Sequence, residues 1–208
     1  MARTTSHEFH TEVGDGVMED SCDRLVAMLE SQRTSERRRS LKRLENHAML
    51  PCLESALRNP ATSDNAKRLI CEILYRMRWP DAVPALLGQL HSSSQEVRAV
   101  AADALGNIGD VRAGPALLQL LEDENQPTMV RDNAAFSVGL VGYRPGASVL
   151  ARYLHDPAET VRYCAAKALG WLGDPSTLPA LEAALRLENA ERVRRAIEEA
   201  IRNITSEN

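Results

Sequence analysis

Three groups of residues in this chain are of types that do chemistry. "HEFHTE" at 7–12 holds His7, Glu8, His10 and Glu12, side chains that a divalent metal accepts as ligands. "VRYCAAKALGWLGD" at 161–174 gathers an Arg, a Tyr, a Cys, a Lys, a Trp and an Asp. Cysteines stand at 22, 52, 71 and 164. The first group is not the zinc motif HExxH, because its two histidines are three residues apart and not four. It lies in a polar stretch without periodicity, so disorder is expected there. The cysteines show no CxxC spacing and no nearby histidine cluster. Neither a zinc site nor a disulfide framework is expected, and the four are read as buried free thiols.

The second group dissolves once the elements that must position it are found. Val-Arg pairs begin at 97, 130, 161 and 193, so they recur every 33, 31 and 32 residues. Such a period marks a repeat architecture. In "EVRAVAADALGNIGD", 96–110, Val97, Val100, Ala101, Ala104, Leu105 and Ile108 fall on one face of a helix. Val193, Ala196, Ile197, Ala200, Ile201 and Ile204 do the same in the last copy. Gly109, Gly142 and Gly173 end these first helices, where a positive φ is wanted. A second helix follows, opened by proline in "PALLQLL" at 115–121 and "PALEAAL" at 179–185. Gly106, Gly139 and Gly170 recur inside the first helices, each costing about 1 kcal/mol relative to Ala. Their shared register predicts a backbone contact that admits no Cβ, and Tyr75 breaks the rule in its own repeat.

The expected fold is therefore all-α: a solenoid of about five helical hairpins between single capping helices, each hairpin burying its apolar face on its neighbours. An acidic tail is set at 1–20, and one repeat domain at 21–208. Its units are a cap helix at 21–31, hairpins at 33–60, 63–92, 95–124, 127–156 and 159–188, and a cap helix at 190–204.

Composition narrows the partners. The chain has 29 acids and 25 bases; five of those acids and one base lie in residues 1–20, which leaves 24 of each for the rest. A neutral body with an acidic tail matches a phosphate backbone poorly, so nucleic acid is not expected as a partner. No apolar run is long enough to cross a membrane, and the start lacks the apolar core of a secretory signal. A cytoplasmic protein is expected.

The pattern Val-Arg, small residues, Ala-Leu-Gly, Gly-Asp, Pro-Ala-Leu stands nearly whole at 97–117 and 161–181. It resembles the HEAT-like repeats of the phycobilisome-lyase type, over roughly 35–204. The resemblance implies a right-handed superhelix with the second helices along its concave face. Similar repeats occur in bilin lyase subunits, in chaperone-like scaffolds and in HEAT-like DNA glycosylases. They are also similar to those of deoxyhypusine hydroxylase, a family that needs His-Glu pairs as iron ligands. Here the one His-Glu pair is His7-Glu8, so that chemistry is not expected, and neither a catalytic residue nor a metal ligand is assigned.

Two sets of residues remain as candidates. Arg98, Arg131, Arg162 and Arg194 each follow the repeat's Val, and Asp110 and Asp174 lie in the turn between paired helices. They are read as an Arg–Asp ladder tying repeats together. One exposed column of the second helices runs through Glu30, Arg58, His91, Glu122, His155 and Arg186. With Arg152, Trp79, Tyr143 and Trp171 it is read as the partner-binding surface, since exposed aromatics and arginines anchor interfaces. Metal sharing by His91 and His155 is excluded by their separation of two repeats. The run "RTSERRRSLKR" at 33–43 puts Arg37, Arg38 and Arg39 where later repeats have alanines, and is read as a capping face or as a docking site for an acidic partner or for the chain's own acidic tail.

The resulting expectation is a non-catalytic scaffold or chaperone-like adaptor that binds a protein and needs no cofactor. The alternative is a lyase-type subunit that cradles a bilin and its acceptor protein; a weaker one is a DNA glycosylase.

Overall fold

The computed structural model describes residues 15–206, and within them twelve α-helices and no strand. The first helices of the hairpins are α2 (Thr34–Leu44), α4 (Asp64–Met77), α6 (Gln95–Ile108), α8 (Thr128–Leu140) and α10 (Glu159–Leu172). The second helices are α3 (Leu50–Arg58), α5 (Val83–Gln89), α7 (Gly114–Glu122), α9 (Ala147–Arg152) and α11 (Leu178–Leu187). Single helices α1 (Asp15–Leu29) and α12 (Glu191–Ser206) close the two ends. The molecule is an α-solenoid.

Each element begins and ends for local reasons. Ser63 and Ser94 cap α4 and α6 by accepting from the amides of Ala66 and Val97. Gly109, Gly142 and Gly173 take φ of 78°, 68° and 63° after α6, α8 and α10, as their spacing predicts. Arg78 performs the same turn after α4 at φ 51°, a conformation that costs a residue with a Cβ more than it costs glycine. A short 3-10 turn then delivers the chain to each second helix, with Pro51, Pro84, Pro115 and Pro179 in its first turn.

The apolar stripe of each unit is buried against the next. Val97, Ala101, Ala104, Leu105 and their equivalents through α12 are excluded from solvent. The interior glycines explain how closely the first helices approach. A Cβ on Gly106 would stand 2.7 Å from the Ser137 Cβ, and one on Gly170 would stand 2.9 Å from the Ala200 Cα. Asn107 and Asn133 brace the same layer, donating to the carbonyls of Tyr75 at 2.6 Å and Ala99 at 3.1 Å. Tyr75 itself, in the glycine register, stays exposed.

Two expectations are corrected at the N-terminal end. Helix α1 starts at Asp15, so the last part of the proposed 1–20 tail is helical; His7, Glu8, His10 and Glu12 lie outside the described residues. The cysteines are not four free thiols. Cys22 of α1 and Cys52 of α3 form a disulfide with Cα atoms 5.7 Å apart, while Cys71 and Cys164 are free. The pairing needs two helices brought side by side, which no linear spacing announces.

Candidate functional site

Where a second helix turns into the next first helix, Arg98, Arg162 and Arg194 reach back into the connecting segment, and Arg131 reaches forward to the next one. Arg98 donates to the carbonyls of Ser92 and Ser93 at 2.7 and 3.0 Å, and through Nε to Gln126 Oε1 at 2.9 Å. Arg162 donates to the carbonyls of Asp156 and Pro157, and its Nε and Nη2 grip both oxygens of Glu188 at 2.6 and 3.1 Å. Arg194 donates to the carbonyls of Leu185 and Glu188, both at 3.0 Å. Arg131 pairs with Asp156 at 2.5 Å, and its Nε has no hydrogen-bond partner. Asp156 is one methylene shorter than Glu188 at the same register, and its other oxygen is taken by the Ala158 amide.

The ladder expectation is therefore corrected in its acidic half. Asp110 and Asp174 do not meet the arginine row. Each accepts from the amide two residues on, Arg112 and Ser176, and so shapes its own turn. The acids that meet the row, Asp156 and Glu188, stand five residues before the next Val-Arg, a signal present in the sequence and passed over. The pairing shows in the titration of both partners: the Arg162 hydrogen bonds hold Glu188 below the usual carboxylate range, and Glu188 raises the Arg162 guanidinium.

These loops wall three neighbouring grooves. The first, of about 470 Å³ between α5 and α7, is lined by His91, Arg98, Gln119, Asp123 and Gln126. The second, of about 540 Å³, lies between α7 and the α9 end and is lined by Glu122, Arg131, Arg152, Tyr153, His155 and Asp156. The third, of about 420 Å³, holds His155, Arg162, Leu187 and Glu188. The second groove is braced by Arg152 on Glu122 at 2.5 Å and by the Tyr153 hydroxyl donating to the Leu121 carbonyl at 2.9 Å.

Of the proposed partner surface, the grooves thus gather His91, Glu122, Arg152 and His155. Arg58 stays on α3, paired with Glu54 at 3.2 Å, and Glu30 accepts from the Ser63 hydroxyl. Arg186 is exposed on α11. The aromatics are dispersed. Tyr143 fills the space over Gly114, and Trp79 meets the His47 ring edge-on at 5.1 Å. Trp171 lies in the other layer, edge-on to Phe136 at 4.7 Å with Lys167 over its ring, and remains 39% exposed.

Sequence and structure comparisons locate the chain among known proteins. Deoxyhypusine hydroxylase of Rattus norvegicus is 34% identical over 96 residues, 45% of this chain and 32% of that protein. The Arabidopsis thaliana protein of the same name is 33% identical over 108 residues, 51% of this chain and 34% of its own length. The chain spans about a third of the length of these curated relatives. Among solved structures, the complex of CpcE and CpcF of phycocyanin lyase from Nostoc sp. PCC7120 superposes with a TM-score of 0.62 at 22% identity, covering 93% of this chain and 79% of that one. At that identity the likeness is one of fold.

The curated relatives are enzymes, and they overturn the expectation of a non-catalytic scaffold. The bilin-lyase and glycosylase alternatives are not carried further. The expectation that no cofactor is involved falls with them, since the hydroxylase family depends on iron. The donors among the described residues do not fit that metal. Among the described residues, no three His, Cys, Asp or Glu side chains converge as a metal site requires, and the only His-Glu pair lies outside them. No described helix is long and apolar enough to cross a membrane. The profile of HEAT repeats matches residues 50–129 and 115–202. The protein belongs to the HEAT-repeat family.

Proposed function

We propose that the chain takes part in the enzymatic modification of a protein, and that the three grooves at the ends of its second helices hold that protein substrate. One observation carries this reading: the grooves recur at the repeat spacing, each beside the repeat's arginine, with Arg98 and Arg162 tied to their own loops and Arg131 to Asp156 of the next. Such a surface is set before binding and loses little freedom when a chain settles on it. His91, Glu122, Arg152 and His155 supply the polar contacts that select the segment. The curated hydroxylases support an enzymatic role. A cytoplasmic location belongs to the same reading, and would leave the Cys22–Cys52 bond to the poise of the thiol pool.

The test is a photo-crosslinking residue placed at position 91 or 155 in the source cell. The captured protein is mapped by mass spectrometry in cells with and without this gene. A covalent modification that disappears with the gene is expected. A captured protein whose modifications are unchanged by the deletion overturns the proposal.

A further inference from the structure

The cationic face of α2 is not absorbed by the grooves. Residues 33–43 hold six bases against Glu36, a net of +5; with −4 for the whole chain, all other residues sum to −9. Arg33 pairs with Glu36, and Arg37 donates to the Ser31 carbonyl. Arg38, Arg39, Lys42 and Arg43 are exposed and make no ion pair or side-chain hydrogen bond within residues 22–206. At 3.6 residues per turn they cover about 140° of the helix, on the side away from buried Ser40 and Leu44. Arg38 with Lys42, and Arg39 with Arg43, are like-charge pairs four apart, each of which weakens a helix by about 0.2–0.5 kcal/mol.

Capping the solenoid does not explain this. The opposite cap, α12, also turns a face to solvent, and does so with four bases and three acids. It pairs Arg195 with Glu191, and its Glu199 receives Lys167. Mixed signs meet the need for solubility at no cost in self-repulsion. Helix α2 has five bases and one acid in eleven residues.

We infer that this face of α2 docks an acidic segment of a partner protein. The four cations span about 8 Å along the axis, which matches about three residues of extended chain. The chain's own residues 1–14 carry Glu8 and Glu12 against Arg3, too little charge to neutralise four cations, and the neighbouring acids Asp15, Glu19 and Asp20 belong to helix α1 and not to an extended segment. A nucleic acid extends its phosphates beyond so short a patch and meets a body of the same sign. The inference stands independently of the function proposed above.

The experiment uses the full chain and a fluorescein-labelled hexaglutamate peptide, read by anisotropy. Binding is expected at about 50 mM salt and to weaken about tenfold by about 300 mM, where screening is stronger. The double variant Arg38→Glu/Arg39→Glu should lose at least about tenfold in affinity while keeping or raising its Tm, because it creates opposite-charge pairs with Lys42 and Arg43. Lys42→Gln/Arg43→Gln should also weaken binding, and Arg195→Glu on α12 should leave it unchanged. Absence of binding at low salt, or binding by both α2 variants unchanged from that of the wild type, overturns the inference. So does tighter binding of a single-stranded DNA oligomer of matched charge.

Discussion

Gly139 lies so close beneath Ala168 that a Cβ added to it would stand 2.5 Å from the Ala168 Cα. Backbone of the neighbouring helix, and not a yielding side-chain tip, occupies that place. Gly139→Ala should therefore destabilise by about 1–3 kcal/mol through overpacking, despite the better helix propensity of alanine. Gly88 of α5 is the control, because nothing lies within 4 Å of where its Cβ would be. Gly88→Ala should stabilise by about 1 kcal/mol. Urea unfolding of both variants checks the pair; shifts of the same sign would remove the close contact as the reason for the interior glycines.

Ser137 occupies the register held by Ala104, Ala168 and Ala200, and its hydroxyl is buried without a partner. Ser137→Ala should raise stability by about 1 kcal/mol, by removing an unsatisfied polar group. A loss of stability in the same denaturation assay would mean that the hydroxyl has a partner in solution.

The Cys22–Cys52 bond closes a span of 30 residues. By the loop-entropy relation its reduction should cost about 3–4 kcal/mol, read as a fall in Tm of the N-terminal hairpins. Burial pushes the free thiols of Cys71 and Cys164 up to about 12, so the native protein should alkylate slowly at neutral pH. Thiol titration of the unreduced, unfolded chain should find two groups, and four after reduction. Four before reduction contradicts the disulfide.

Two carboxyls should pull the pH profile in opposite directions. Glu188 is held below its ordinary 4.5 by Arg162, so its contribution is present above that value and is lost as the pH falls through the lower, folded value. Glu188→Gln should flatten the acid limb of a Tm-against-pH curve. Asp103 is raised above its ordinary 3.8 by burial, so its charge opposes folding at neutral pH. Asp103→Asn should raise Tm at neutral pH, and the gain should vanish once the pH falls below the ordinary value. Parallel curves for wild type and both variants would contradict these assignments.

The repeat was legible because packing writes it into the chain at every level. Val-Arg, the interior glycines and the positive-φ glycines each answer a contact made within one unit or with the next. The acids of the arginine row were misassigned to Asp110 and Asp174. Asp110 and Asp174 accept from the amide two residues on and stay within their own turns, whereas Asp156 and Glu188 accept from such an amide and also meet Arg131 and Arg162 once the chain has folded back. Cys22 and Cys52 escaped for the same reason: their encounter belongs to α1 and α3 side by side. The similarity to deoxyhypusine hydroxylase was legible in the repeat residues, whereas its iron chemistry was not, because the one His-Glu pair of the sequence, His7-Glu8, lies ahead of the repeats.

The glycine contacts also bear on copy number. Gly106, Gly139 and Gly170 each present a bare backbone to a small residue of the following helix, Ser137, Ala168 and Ala200. A unit from this stretch carries the socket at one side and the plug at the other, so a duplicate inserted after α6 would seat without new surfaces. Each duplicate would also bring one more groove with its arginine. Growth by tandem duplication is therefore open along the array from α6 onward.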